Sequence, residues 1–192
     1  MPSPFDAAFG APVAAAIAAP SNAAPLAVRD SSALSRWGAA PGDLPDVNVW
    51  LALAVREHPH HGAAQAYWDA TQQDMASMPN TAPQKIWFCR VTALGLLRLV
   101  CQPKVAGEGA LATGGAWRLY QSFRALHVIG LHPEPDCEEA LQALVNTQPP
   151  LPHRLWTDAY LAAFTHTAGL RLVTFDKDFS RFGLPRVKLL AT

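Results

Sequence analysis

The sequence predicts an α/β fold: a central parallel sheet with helices on both faces. Three observations lead there. From residue 44 onward, strand-like and helix-like patterns alternate with short links, and parallel strands need such crossovers between them. A β-branched run, Leu172-Val-Thr-Phe175, stops abruptly at Asp176-Lys-Asp178-Phe, and polar ligands of such sheets gather at the carboxyl ends of the strands. Half of the 192 residues are hydrophobic and only 16% are charged, which is ample for one core of ordinary size.

The elements follow in order. A short extended stub precedes Asp46, and Pro45 makes it a poor central strand. Asp46–Val55 has helical spacing. His58–Gln73 reads as a second helix, with Ala63, Ala64, Tyr67 and Trp68 on one face. Ser77–Pro83 is turn material. Ile86–Val91 is a strand, Thr92–Cys101 a helix, and Pro103–Gly109 a loop. Gly115–Leu126 repeats Trp117, Tyr120 and Phe123 at helical spacing. Val128–Leu131 is a strand, Asp136–Val145 a helix, and Asn146–Pro152 a loop. Leu155–Ala168 is a helix, Leu170–Phe175 a strand, and Val187–Leu190 a last short strand.

Residues 1–43 differ in kind. They are rich in Ala and Pro without sustained periodicity, so two parts are expected: a largely disordered extension over 1–43 and a folded domain over 44–192. The extension is either natural or the product of a start codon placed too early. No apolar run approaches the roughly 20 residues that cross a bilayer, so no membrane is expected. Cys89, Cys101 and Cys137 are too few and too scattered for a zinc knuckle or a disulfide framework. They read as small buried hydrophobes in a reducing, cytoplasmic setting.

Fifteen basic and fifteen acidic residues give a formal net charge of zero, which lends nucleic-acid binding no support. The distribution says more. Acids cluster at Glu134, Asp136, Glu138 and Glu139, whereas residues 150–192 carry six Lys or Arg around Asp158, Asp176 and Asp178. A basic rim around an acidic centre suits a polyanion held over a metal.

Taken singly, each acid has a plain structural reading. Asp46 or Asn48 is a helix N-cap. Asp158 suits the dipole of its helix's first turn, Asp176 opens an Asx-turn, and Asp178 caps the short turn Phe179–Phe182. Together they read differently. Asp46, Asp158 and Asp176 come from three separate segments to one expected end of one sheet. Like charges so placed repel unless something positive joins them. Oxygen-only ligation selects a hard cation, Mg²⁺ or alternatively Mn²⁺. Such an ion activates water and stabilises charge on a phosphate oxygen.

At these residues the chain resembles a known family. Asp46-Val-Asn48-Val, Val91-Thr-Ala-Leu-Gly-Leu-Leu-Arg98, Trp156-Thr-Asp158-Ala-Tyr-Leu-Ala-Ala and Leu172-Val-Thr174-Phe-Asp176-Lys-Asp178-Phe179 occur in the order seen in PIN-domain proteins, most like the VapC toxins of type II toxin–antitoxin pairs. The likeness spans about residues 44–190. It implies a three-layer PIN-like α/β fold, Mg²⁺-dependent endoribonuclease activity, and neutralisation by a VapB-type antitoxin. By the same resemblance Asp46, Asp158 and Asp176 are the catalytic metal ligands, while Asn48, Thr174 and Asp178 stand behind them. Arg154, Arg181 and Arg186 are expected phosphate contacts. The family's usual glutamate in the helix after the second strand falls at Gly95, which puts a second metal ion in doubt.

Expected partners are RNA, the antitoxin and a second copy of the chain. Tyr67 and Trp68 are the aromatics expected to face a protein partner. The alternative reading, which Gly95 favours, is a catalytically weak PIN-like module that binds RNA or protein. His58-Pro-His60-His61 reads as the polar start of a helix rather than a metal site, because His60 and His61 point to different sides. A P-loop lysine, a Gly-x-Ser-x-Gly elbow and the lysine placement of a phosphotransfer receiver are all missing.

Overall fold

The computed structural model describes residues 42–77, 85–146 and 150–191. Five parallel strands form one sheet: β1 Gly42–Pro45, β2 Lys85–Phe88, β3 Ile129–Leu131, β4 Arg171–Thr174 and β5 Val187–Leu189. Their order across the sheet is β3-β2-β1-β4-β5. The helices are α1 Val47–Ala54, α2 His61–Ser77, α3 Arg90–Leu99, the single turn α4 Pro103–Ala106, α5 Thr113–Ala125, α6 Glu138–Val145 and α7 Trp156–Thr167. A 3₁₀ turn at Lys177–Phe182 joins β4 to β5. The expected α/β architecture is therefore what the chain forms.

Successive strand residues face opposite sides of a sheet, and β2 shows both sides of this one. Trp87 joins Leu44, Leu161, Phe164, Leu172 and Phe179 in a buried cluster beneath α7. Phe88, on the other side, stacks on Trp50 of α1 with ring centroids 3.7 Å apart, and Phe123 of α5 meets Trp50 edge-on at 5.3 Å. Trp87 also lies across the strands flanking it. A Cβ at Gly130 would come within 2.1 Å of its Cζ3, and one at Gly42 within 2.7 Å of its Nε1.

The stub before Asp46 is the middle strand, contrary to the expectation raised by Pro45. Pro45 pairs with Val173, and the next amide, Asp46 N–H, donates to Val173 O at 2.8 Å. Alternate amides of a strand point to opposite neighbours, so the N–H that Pro45 lacks would face β2. Pairing with β2 has already ended at Asp43–Ile86, so no ladder bond is lost.

The boundary expected at residue 43 cuts through β1. Apart from Gly42 and Asp43, the extension lies outside the described residues, as does the expected turn after Ser77. Asp43 is fully buried. Arg171 donates to both its oxygens, from Nε and Nη2, at 2.8 Å each, and the Tyr67 hydroxyl donates to Oδ2 at 2.8 Å. Lys188 Nζ sits 5.1 Å from the Tyr67 ring centre. This network ties α2, β1, β4 and β5 together at the amino-terminal side of the sheet. It also corrects the reading of Tyr67 and Trp68 as partner-facing: both are buried, at 3% and 4% exposure.

Smaller shifts have local causes. The second helix begins at His61 because His58–His60 form turns, with the His60 amide donating to His58 Nδ1 at 3.2 Å. His61 Nδ1 lies 2.7 Å from Ala52 O, and the His60 ring stacks on Phe175 at 4.7 Å. Helix α3 begins at Arg90 because Cys89 and Thr92 form a capping box. Tyr120 and Phe123 are core, while Trp117 stays half-exposed. Cys89 and Cys137 are buried free thiols and Cys101 is half-buried. Of the clustered acids, Glu134 accepts the hydroxyl of Tyr160 on α7. Glu138 and Glu139 occupy the first turn of α6, where the dipole favours them. No helix among the described residues is long and apolar enough to cross a membrane.

Candidate metal centre

The site lies where β1 and β4, neighbours in the sheet, reach their carboxyl ends. Asp46 leaves β1 and caps α1: its Oδ1 accepts the Val47 amide at 2.6 Å. Its Oδ2 accepts the Thr174 hydroxyl at 3.1 Å. That hydroxyl oxygen in turn accepts Asn48 Nδ2 at 3.1 Å and the Asp176 amide at 3.0 Å. The Thr174 proton is thereby committed to Asp46 and both of its lone pairs are used. Asn48 Oδ1 takes the Phe175 amide at 3.4 Å. One hydroxyl and one carboxamide thus lock the end of β4 to the start of α1.

Asp176 leaves β4 and caps the 3₁₀ turn, with Oδ1 accepting the Asp178 amide at 2.8 Å. Asp158 stands in the first turn of α7, half-buried. Its carboxylate takes no hydrogen bond from any described residue. Asp178 is turned to Arg181, whose Nη2 lies 3.5 Å from Oδ2 and whose Nε donates to the Asp178 carbonyl at 3.1 Å.

Electrostatics connects these groups. Burial pushes Asp46 up from 3.8 to about 6, the Val47 and Thr174 hydrogen bonds hold it back, and the charges of Asp158 and Asp176 add to the rise. Burial also raises Asp158, with Asp176 and Asp178 adding to it and Arg181 and Arg154 opposing. Acids from residues 46, 158 and 176 therefore lie close enough to feel one another's charge, with Arg154 and Arg181 beside them. Arg186 does not join them. Its Nη1 donates to Gly169 O at 2.9 Å, before β4 begins, so it lies at the opposite end of the sheet. The expectation of a phosphate contact there is corrected by the register: Arg186 precedes β5, whereas the acids follow β1 and β4.

Among the described residues, no three His, Cys, Asp or Glu side chains stand in a ready-made metal-holding group. The donors nonetheless suit a hard cation. They are all carboxylates, one of them unpartnered, and their mutual repulsion is what a divalent ion would relieve. The metal-free protein should show the strain. Asp46 is raised in the folded state, so the folded protein binds more protons than the unfolded one between pH 4 and 6. Stability contributed by that proton is present at low pH and is lost as pH rises through about 6. A rise from 3.8 to about 6 corresponds to about 3 kcal/mol. Chemical denaturation in EDTA is expected to show this fall, and Asp46→Asn to reduce it. A flat profile for the wild type would contradict the assignment.

The PIN domain profile matches residues 44–184. The chain belongs to the PIN-domain family. Ribonuclease VapC41 of Mycobacterium tuberculosis, in two strains, is 40% identical over 153 residues, covering 77% of this chain and 98% of the relative. These relatives make it a PIN-domain protein of the VapC type. The crystal structure of Mycobacterium tuberculosis VapC20, a sarcin–ricin loop cleaving toxin, superposes with a TM-score of 0.53 at 17% identity. It covers 78% of this chain and 100% of VapC20, a likeness of fold.

A Cβ at Gly95 would lie 2.9 Å from Val47 Cγ2, so α3 packs closely against α1 there. Beside that contact is a cleft of about 300 Å³, lined among others by Asp46, Leu94, Gly95, Arg98 and Thr157. Sequence reasoning passed over Arg98, although its place three residues after Gly95 puts both on one helical face. Gly95→Glu is expected to destabilise the domain by about 1–3 kcal/mol, the usual cost of forcing atoms into a packed contact. Adding Val47→Ala should recover part of that loss. Equal stability of Gly95→Glu and wild type by urea denaturation would contradict the packing argument.

Proposed function

We propose that the chain is a divalent-metal-dependent endoribonuclease of the VapC kind, hydrolysing phosphodiester bonds in single-stranded or loop RNA. The observation that carries this reading is that Asp46 and Asp176 leave neighbouring strands at one end of the sheet and meet at the Thr174 hydroxyl, with Asp158 near enough to add to the rise of Asp46. The 40% identity to VapC41, a ribonuclease, supports the substrate class. Those three carboxylates would hold Mg²⁺, with Mn²⁺ as a substitute. The ion would supply an activated water and stabilise charge on the phosphate.

The chain's own groups do the rest. Thr174 and Asn48 hold the Asp46 carboxylate in one orientation and fix Asp176 through its backbone amide, the kind of outer support that sets a ligand's direction. Arg154 and Arg181, beside Asp158, place positive charge where an incoming phosphodiester chain would otherwise meet only acids. Asp178 acts through Arg181, which it anchors. A VapB-type antitoxin as inhibitor, pairing with a second copy, and a cytoplasmic setting belong to the same proposal.

The rival reading, an RNA- or protein-binding module without cutting activity, is favoured by Gly95, since Val47 closes the space a fourth carboxylate would need. One experiment separates the two. A mixed RNA pool is incubated with the protein in Mg²⁺ and in EDTA, and the new ends are sequenced. Metal-dependent cleavage at recurring positions supports the nuclease; RNA retained intact but bound in both conditions supports the module.

A further inference from the structure

We propose that Arg98 contacts an RNA phosphate flanking the one cut, across the cleft beside Asp46; this rests on the nuclease reading above. One stripe of α3, Val91, Leu94, Gly95 and Arg98, lines the cleft at the spacing of a helix face. Asp46 and Thr157, the residue before Asp158, also line it. The cleft therefore reaches Asp46, beside which a scissile phosphate would have to sit, and extends along α3 to Arg98.

Its two ends carry opposite charge. The Asp46 end repels a polyanion. The guanidinium of Arg98 is exposed, and it has no hydrogen bond or ion pair with any described residue. A cation in the last turn of a helix suits the helix dipole, but the dipole does not require that it line a cleft shared with Asp46. Between the two ends the wall is apolar. Leu94 is 66% exposed at the lip, offering a surface for the face of a ribose or base while Arg98 forks onto phosphate oxygens.

At Gly95 the helix is in close contact with Val47, and one turn further on it carries a cation. The positive charge for the flanking phosphate is thus supplied by the protein.

The test is fluorescence anisotropy with a labelled single-stranded RNA pool in EDTA, so that nothing is cut, over a series of KCl concentrations. Arg98→Ala is expected to weaken binding about tenfold or more, as loss of one charge-assisted contact does. The slope of log K against log salt should fall by about 0.7, the value for one phosphate on a single strand. Arg98→Lys should keep the slope and lose part of the affinity, because an ammonium keeps the charge without the fork. Arg186→Ala, at the other end of the sheet, should bind as the wild type does. If Arg98→Ala matches the wild type in affinity and slope while the wild type binds RNA, this proposal is overturned and the nuclease reading stands. If the wild type binds no RNA in EDTA and none with Ca²⁺ present either, the nuclease reading fails first. If Arg98→Ala instead weakens only the grip of a partner protein, the cleft is a protein-docking surface and the RNA assignment is wrong.

Discussion

Asp46→Asn is expected to lower RNA cleavage about a thousandfold without loosening the fold. The size follows from what the carboxylate would do: a metal ligand at a phosphoryl centre supports several kcal/mol of transition-state stabilisation, and about 4 kcal/mol corresponds to roughly a thousandfold in rate. The fold should survive because Asn keeps an acceptor for the Val47 amide, now 2.6 Å from Oδ1, and the loss of the Thr174 hydroxyl's acceptor at Oδ2 is offset by removal of a buried charge. The variant also sheds a buried negative charge that lies beside two others. Above pH 6, metal-free Asp46→Asn should therefore be about as stable as the wild type while being almost inactive. Unfolding curves and cleavage rates measured on the same preparations check both halves. A variant that is unstable and inactive would point to Asp46 as a structural cap only.

Asp43→Ala is the largest expected stability effect. It removes the acceptor of a bidentate Arg171 pair and of the Tyr67 hydroxyl at a position with no solvent access. Breaking a buried pair costs about 3–5 kcal/mol. Because the Arg171 side chain is 33% exposed and can reach water when released, about 3 kcal/mol is expected. For a domain of this size that lowers the melting temperature by about 6–12 °C. Differential scanning calorimetry checks it. A change below about 1 kcal/mol, the worth of an ordinary surface pair, would show that the network contributes little.

Much of the sheet was legible because its strands carry their own signal. Leu172-Val-Thr-Phe175 is β-branched and ends in acids, and its neighbours alternate with helical spacing. β1 was hard to read for a physical reason. It is four residues long, ends in proline, and is stabilised by partners far away in sequence, Val173 across the ladder and Arg171 across the ion pair. The same long-range contact hid the burial of Tyr67. With Asp43 assigned to the extension, nothing in the local pattern showed what the phenol would meet.

The three acids could be singled out because each ends a strand or opens a helix. Asn48 and Thr174 were named from the resemblance, and the structure shows them hydrogen-bonded to each other and Thr174 to Asp46. Arg186 was misplaced because sequence proximity to Asp176 says nothing about which end of a strand a residue occupies. Parallel register reverses the expectation: ten residues after Asp176 the chain has returned to the far side of the sheet to start β5. Arg98 was missed because its meaning depends on the cleft beside Asp46, and that cleft is formed by the packing of α3 on α1.

The most direct measurement is a Mn²⁺ titration followed by electron paramagnetic resonance, run on the wild type and on Asp46→Asn, Asp158→Asn and Asp176→Asn. The expected result is a single ion per chain in the wild type and much weaker uptake in all three variants. An ion held equally well by the variants, or none held by the wild type, would contradict the claim that these carboxylates form one metal centre.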